Sequence, residues 1–217
     1  MAEKAAFQYQ KLWEASPNNS YLKAEYAFAH AVGVWTLLYY RYTPEQQRLR
    51  NMLGSYPAAQ NARRCRDESL KELPSAPEVW AMAAESKLDQ GQYKEAYALA
   101  ERAMKLDPEW GYAHYTFGKA LSDLMSLEKN QRKKNDWARK ALAELQRAEQ
   151  LDPSLSKGNI QLRYASAYEQ LGQFERAVEC LDRRIAVNAS LGGTAEQSKS
   201  LLDIRQRVAA KAKARTR

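Results

Sequence analysis

The chain has 217 residues, of which 45% are hydrophobic, and its 34 Lys and Arg against 26 Asp and Glu give a net charge of +8. This hydrophobic fraction excludes a mainly disordered chain, because disordered chains contain too few apolar residues to form a core. Gly (9) and Pro (7) are scarce, and both weaken helices. We therefore expect an all-α protein rather than a β-sandwich or a dinucleotide-binding α/β fold.

The few cysteines and histidines argue against a disulfide framework and a metal site. Cys65 and Cys180 lie far apart, and His30 and His114 have no spacing that would place them on one helix turn. We predict free thiols in or near the core, and neither a metal nor a cofactor.

Two further sequence features bear on the location of the protein in the cell. The longest uncharged run, 26–40, is shorter than the about 20 apolar residues that cross a membrane, and no signal-peptide pattern opens the sequence. We therefore expect no membrane span and a cytoplasmic protein, or a periplasmic one if a leader has been removed.

The first third of the chain predicts helices with irregular spacing. Residues 1–19 are expected to form an orphan helix, and its apolar face from Ala5 to Leu12 would allow homo-oligomers if uncovered. Residues 20–76 predict a degenerate hairpin with an inserted helix that starts at the capping sequence Thr43-Pro44-Glu45-Gln46. Its helices are expected over 20–42, 44–53 and 57–73.

Residues 77–110 show the clearest helix–turn–helix pattern. Gly91 breaks the pattern between two helices, and Asp107-Pro108 ends the second one. The first helix has Trp80, Ala83, Ala84 and Lys87 on one side, and the second has an inner stripe of Tyr93, Ala96, Ala100 and Ala103. Such a hairpin cannot bury its apolar face alone, so neighbouring hairpins must stack against it.

The unit 77–110 resembles a tetratricopeptide repeat, a 34-residue helix–turn–helix unit. The matching residues are Trp80, Ala84, Gly91, Tyr93, Ala96, Ala103 and Pro108. Two further units with this pattern cover 111–153, which contains an insertion at 122–134, and 154–191, whose end is degenerate. The resemblance implies an α-solenoid of stacked antiparallel helix hairpins. Residues 192–217 predict a capping helix over 195–210 followed by a frayed basic tail.

A stacked array of this kind offers a concave groove lined by the first helix of each repeat. We find no phosphate-binding glycine loop, nucleophile elbow or paired carboxylates, so we predict no catalytic residues and a scaffold or adaptor that binds another protein, as a peptide or a partner helix. The residues offset from the core stripe, which are candidates for partner binding, are Tyr21, Phe28, Glu78, Glu85, Tyr112, Tyr115, Lys119, Asn159 and Arg163.

Members of this family can clamp a carboxylate-terminated chaperone tail with Lys and Asn. The corresponding face of the clearest unit has Ala81 and Glu85 instead, so we do not expect such a co-chaperone. Acids at one end of the groove and Lys119 and Arg163 at the other favour a peptide of mixed charge.

Two alternatives to a peptide-binding scaffold stay open. The basic patch formed by Lys129, Arg132, Lys133 and Lys134 would suit phosphate contacts in a nucleic-acid-associated repeat protein. An array that positions a separate catalytic subunit is the other alternative.

Overall fold

A computed structural model describes residues 8, 11–12, 14–16, 18–19, 57–157, 160–190 and 195–215. From residue 57 on, these ranges contain helices, one 3-10 turn at Pro153–Lys157 and no strand. The helices are α1 (Pro57–Glu72), α2 (Pro77–Asp89), α3 (Tyr93–Leu106), α4 (Gly111–Leu127), α5 (Gln131–Leu151), α6 (Ile160–Gln170), α7 (Phe174–Ser190) and α8 (Ala195–Arg215). The all-α prediction is confirmed.

The chain divides into two compact units, Met1–Leu106 and Asp107–Arg217. The described helices of unit 1 are α1, α2 and α3, and those of unit 2 are α4 to α8. The inserted helix predicted over 44–53 lies outside the described residues, as does the helix predicted over 20–42.

In unit 1, α2 and α3 form the hairpin that the pattern at 77–110 predicts. Ala96, Ala100 and Ala103 are all fully buried along the inner side of α3. These small side chains allow the two helices to approach closely. On the other side of α2, the Arg66 guanidinium of α1 donates a hydrogen bond to the Ser86 hydroxyl at 2.6 Å.

The turn between α2 and α3 depends on Gly91, whose φ of +71° lies in the left-handed region. A Cβ at this position would meet no atom within 4 Å, so a substitution introduces backbone strain and no clash. We expect Gly91→Ala to lower the free energy of unfolding by about 1–2 kcal/mol. Urea denaturation checks this value. Gly91→Asn should lower the free energy of unfolding by less, since Asn tolerates positive φ better than Ala. An equal decrease in both variants would contradict backbone strain as the cause.

Unit 2 consists of two hairpins, α4–α5 and α6–α7, followed by α8. The first hairpin is tightly packed because Gly118 on α4 faces Leu145 on α5. A Cβ at Gly118 would lie 2.8 Å from the Leu145 side chain. Phe117 and Leu145 are fully buried beside this contact.

His114 links three segments of the α4–α5 hairpin. Its Nδ1 lies 2.7 Å from Glu144 Oε2 on α5, and its Nε2 lies 2.8 Å from the Pro108 carbonyl oxygen. The ring is only 7% exposed. A buried polar ring with both nitrogens bonded fixes the entry of the chain into α4.

The insertion predicted at 122–134 does not form a long loop. The inserted residues lengthen the two helices instead. Helix α4 continues to Leu127, and α5 begins at Gln131 after a short connection. Asn130 caps α5, since its side-chain oxygen accepts a hydrogen bond from the Lys133 amide at 3.0 Å. A capping residue in the middle of the insertion starts the second helix early.

The prediction of a capping helix is confirmed, but the tail is not frayed as expected. Helix α8 packs against α7, burying Leu201 and Val208 while Leu202 stays 43% exposed. The helix continues to Arg215. The Lys211 ammonium lies 2.7 Å from Glu169 on α6, and this ion pair, together with an alanine-rich sequence, favours helix beyond residue 210.

Both cysteines are free and buried, in agreement with the prediction of free thiols in or near the core. Burial raises the pKa of the Cys180 thiol to about 11. Desolvation disfavours the thiolate, so Cys180 behaves as a small apolar core residue.

Candidate functional site

Three aromatic side chains form a row at the start of α4. The rings of Trp110 and Tyr112 have centroids 5.6 Å apart, and those of Tyr112 and Tyr115 have centroids 5.8 Å apart. All three side chains are half-buried. Tilted rings at these distances support one another, so the row offers a preformed apolar contact surface with polar hydroxyl tips.

An ion pair between Asp123 and Arg163 joins α4 to α6 further along the same helix. The two side chains are 19% and 18% exposed, so the charges are partly shielded from water and screened less by salt than surface pairs. The pair fixes the register of the two helices. Arg163 thereby has an intramolecular partner on the face where the sequence predicts a cation for ligand binding.

A second charged cluster joins α6 to α8. Glu169 accepts from Arg207 at 3.2 Å and from Lys211 at 2.7 Å. The next residue, Gln170, donates a hydrogen bond from its side-chain amide to the Asn135 side chain of α5 at 2.7 Å. Together with the ion pair to α4, these contacts connect α6 to α4, α5 and α8.

We name the surface on α4 and α6 the first-helix face, because it lies on the first helix of each hairpin of unit 2. It consists of the aromatic row (Trp110, Tyr112 and Tyr115) together with Asp123, Arg163 and Ser166. Ser166 is exposed near the middle of α6.

The structure places the sequence-predicted site residues in different settings. Tyr112 and Tyr115 lie together in the aromatic row, and Arg163 lies on α6, which packs against α4. Lys119 is on α4 but is only 7% exposed, so its side chain offers little surface to a ligand.

The remaining predicted positions lie elsewhere. Glu78 is exposed at the start of α2 in unit 1, whereas Glu85 and Ala81 on the same helix are 9% and 0% exposed. Tyr21, Phe28 and Asn159 lie outside the described residues.

Sequence reasoning missed three residues that shape this site: Trp110, Asp123 and Glu169. Trp110 directly precedes a helix that carries two tyrosines at the spacing of one turn, which is a readable signal of an aromatic cluster. Asp123 and Glu169 make contacts between helices far apart in sequence, and no local pattern predicts such pairs.

The basic patch lies at the start of α5. Lys129, Arg132 and Lys133 are exposed and Lys134 is half-buried, and the first turn of this helix contains no acidic residue. The helix dipole disfavours cations at an N-terminus. The positive charge of the patch therefore does not stabilise the helix.

Across the described part of the chain, no group of three His, Cys, Asp or Glu side chains could hold a metal ion. None of the helices in these ranges combines the length and apolar character needed to cross a membrane.

Comparisons with known proteins agree with this architecture. A tetratricopeptide-repeat family model matches residues 77–109 and 159–190. Among curated protein sequences, none matches the chain.

Several solved structures share the fold at low sequence identity. A thermophilic TPR protein of Thermus thermophilus, TTC0263, is 19% identical, with a TM-score of 0.53 over 76% of this chain and 96% of its own. YrrB, described as a TPR protein with an unusual peptide-binding site, is 18% identical, with a TM-score of 0.51 over 98% of this chain and 100% of its own.

A third similar structure is human IFIT1, seen as a dimer with m7Gppp-AAAA. It is 18% identical, with a TM-score of 0.55 over 86% of this chain. The match covers 47% of the IFIT1 chain, so the chain spans about half the length of that protein. Likeness at these identities shows the fold alone.

Proposed function

Because this chain is a tetratricopeptide-repeat protein, we propose that it is a non-catalytic scaffold that binds a peptide or a partner helix. The binding surface is the first-helix face of unit 2. The proposal applies to the described residues of that unit. Asn159 remains a predicted contributor, and Tyr21 and Phe28 of unit 1 remain sequence predictions of partner-binding residues. A cytoplasmic location also stays a prediction.

The observation that carries this proposal is the aromatic row on a braced helix pair. Tyr and Trp are the residues most enriched among those that dominate binding energy in protein interfaces. The Asp123–Arg163 pair joins α4 to α6, and the three rings contact one another, which supports a surface that is ordered before a ligand arrives. Such preorganisation lowers the entropy lost on binding.

The charges around the row favour a ligand of mixed charge. Asp123 and Arg163 are partly exposed and of opposite sign. The two side chains pair with each other, so a peptide that carries both an acid and a base would interact with the exposed edges of this pair, which sets orientation and association rate more than affinity. YrrB, which shares the fold and is described with an unusual peptide-binding site, supports a peptide as the ligand.

The experiment is a selection of phage-displayed random peptides on the purified chain, followed by affinity measurements on the selected peptides. We expect Tyr112→Ala and Tyr115→Ala to weaken binding about tenfold each, which corresponds to about 1.4 kcal/mol. The matched control is Tyr97→Ala on α3, where the hydroxyl bonds Glu101 of the same helix at 3.1 Å. Peptides that bind all three variants as tightly as the unsubstituted chain would contradict the proposal.

The basic patch supports a second candidate function, association with single-stranded RNA. Cations held where the helix dipole opposes them suit an anionic partner. IFIT1, which shares the fold, is seen with capped RNA. In this case Lys129→Glu/Lys133→Glu should weaken binding of a labelled RNA oligonucleotide and reduce the slope of log affinity against log salt by about 1.4.

The matched control for RNA binding is Lys94→Glu/Lys105→Glu, which changes two exposed lysines on α3. Equal losses in both double variants would show that RNA responds only to the net charge of +8. That result would remove RNA association as a function of the patch.

A further inference from the structure

Unit 2 contains a groove away from the first-helix face, between α5 and the turn that joins α6 to α7. Its volume is about 390 Å³, within the range of small ligand sites. Its lining includes Leu142, Ala143, Tyr168 and Leu171, with the guanidinium groups of Arg139 and Arg176 among its polar members. None of the residues that line it is acidic.

The arginine on the α7 side is held in position. The Arg176 guanidinium lies 5.8 Å from the centroid of the Tyr168 ring, and it donates a hydrogen bond to the Gln173 side chain at 3.1 Å. One face of the tyrosine ring is therefore covered by a cation. A stacked nucleobase would have to displace that guanidinium, which argues against a single-stranded nucleic acid in this groove.

The arginine on the α5 side can exchange its partner. Arg139 donates to Asp136 at 2.9 Å, but both side chains are more than 60% exposed, at 64% and 63%. Exposed pairs of this kind contribute little to stability. A carboxylate from a ligand can thus replace Asp136 at small cost.

We propose that this groove binds an acidic peptide segment that places one apolar side chain between two carboxylates. The apolar side chain would contact Leu142, Ala143 and Leu171. The carboxylates would pair with Arg139 and Arg176, whose planar guanidinium groups match carboxylates in geometry. Charge complementarity selects this occupant, because the lining residues offer cations and apolar atoms and include no acid, and Asp136 competes for Arg139 only through an exposed ion pair.

This second surface goes beyond the proposed function, since it uses none of the residues of the first-helix face. A scaffold with two surfaces on one unit can hold two segments of one partner, or two partners, at the same time. Substitutions in the groove should therefore leave binding at Tyr112 and Tyr115 unchanged.

The test uses three fluorescein-labelled hexapeptides and the full chain. The first peptide has a central leucine flanked by aspartate and glutamate, the second replaces the acids by lysine, and the third replaces the leucine by serine. We expect the first to bind at least tenfold more tightly than the others. Arg139→Glu, Arg176→Glu and Ala143→Glu should each weaken it at least tenfold, whereas Arg183→Glu, the same charge change at an exposed position of α7 outside the groove lining, should change affinity less than threefold.

A second measurement does not depend on whether the variants fold. In a methyl NMR titration of the unsubstituted chain, the first peptide should shift the resonances of Leu142 and Leu171 and leave the buried methyls of Leu121 in place.

Four results would overturn the proposal. They are no binding of the acidic peptide, equal loss of affinity in Arg183→Glu, equal binding of the serine peptide, and methyl shifts only outside the groove. Binding of anionic lipid vesicles or of an RNA oligonucleotide that is lost in the groove variants, without binding of the acidic peptide, would also overturn it. The two proposals can fail separately. If peptides whose binding depends on Tyr115 are still selected while the groove binds no acidic peptide, only the groove proposal has failed.

Discussion

Replacing Phe117 with alanine is expected to lower the free energy of unfolding by about 3–5 kcal/mol. Phe117 is among the largest fully buried side chains in the described part of the chain. Its neighbour in sequence, Gly118, faces Leu145 of α5 at a close approach, so the hairpin has little freedom to collapse into the space that the ring leaves. The loss of apolar contact and the residual cavity then add.

Urea denaturation gives the size of this effect, and hydrogen exchange shows its location. The protection of backbone amides from hydrogen exchange should fall mainly in α4 and α5. The control is Leu127→Ala at the end of α4, where the side chain is 62% exposed, and we expect it to change stability by less than about 0.5 kcal/mol. A loss below about 1 kcal/mol for Phe117→Ala would mean that the α4–α5 hairpin does not pack as described.

The second large effect is expected for Val208→Asp in the capping helix. Val208 is 1% exposed and belongs to the apolar core of unit 2 together with Cys180 and Leu181. An unpaired carboxylate at this position costs about 3–5 kcal/mol. Because α8 is the last helix described, we expect it to detach from α7 before the rest of unit 2 unfolds.

Hydrogen exchange followed by mass spectrometry distinguishes local from global loss. Amides of α8 should lose protection most in Val208→Asp, with a smaller loss in α7. Ile204→Asp is the matched control, since Ile204 on the same helix is 36% exposed, and its exchange pattern should resemble that of the unsubstituted chain. Equal effects of the two substitutions would contradict the assignment of α8 as a helix anchored by one apolar face.

The hairpin at 77–110 could be predicted because its signals are local. Gly91 breaks the helical pattern and adopts the left-handed conformation that such a break needs. The stripe Ala96, Ala100 and Ala103 has the spacing of one helix face, and the structure buries all three residues. Periodicity, a turn glycine and a terminating proline act over a few residues, so sequence reasoning reaches them.

The insertion and the end of α8 were predicted less well, because a helix cap decides the first and a distant ion pair contributes to the second. The basic run at 129–134 resembles a solvated loop by composition, but Asn130 starts a helix there. Residues 211–215 carry a run of positive charge, but Lys211 pairs with Glu169 on a helix far away in sequence. Composition alone does not predict whether a helix cap or a distant ion pair offsets the charge repulsion that disfavours helix in these segments.

The candidate site could be predicted only in part. Helical spacing pointed to Tyr112 and Tyr115, but it also pointed to Lys119, which the structure buries. Whether a residue beside the core stripe is covered depends on the neighbouring helices. The pairing of Arg163 with Asp123 depends likewise on the packing of α6 against α4.

Photo-cross-linking in cells tests the central claim most directly. A benzophenone amino acid at Tyr115 places a reactive group in the aromatic row, and the same group at Gln150, an exposed position of α5, serves as the control. The account predicts a covalent adduct to one partner polypeptide from position 115, lost when Tyr112→Ala is added, and no such adduct from position 150. The same adducts from both positions, or none from position 115 while the complex still forms, would contradict it.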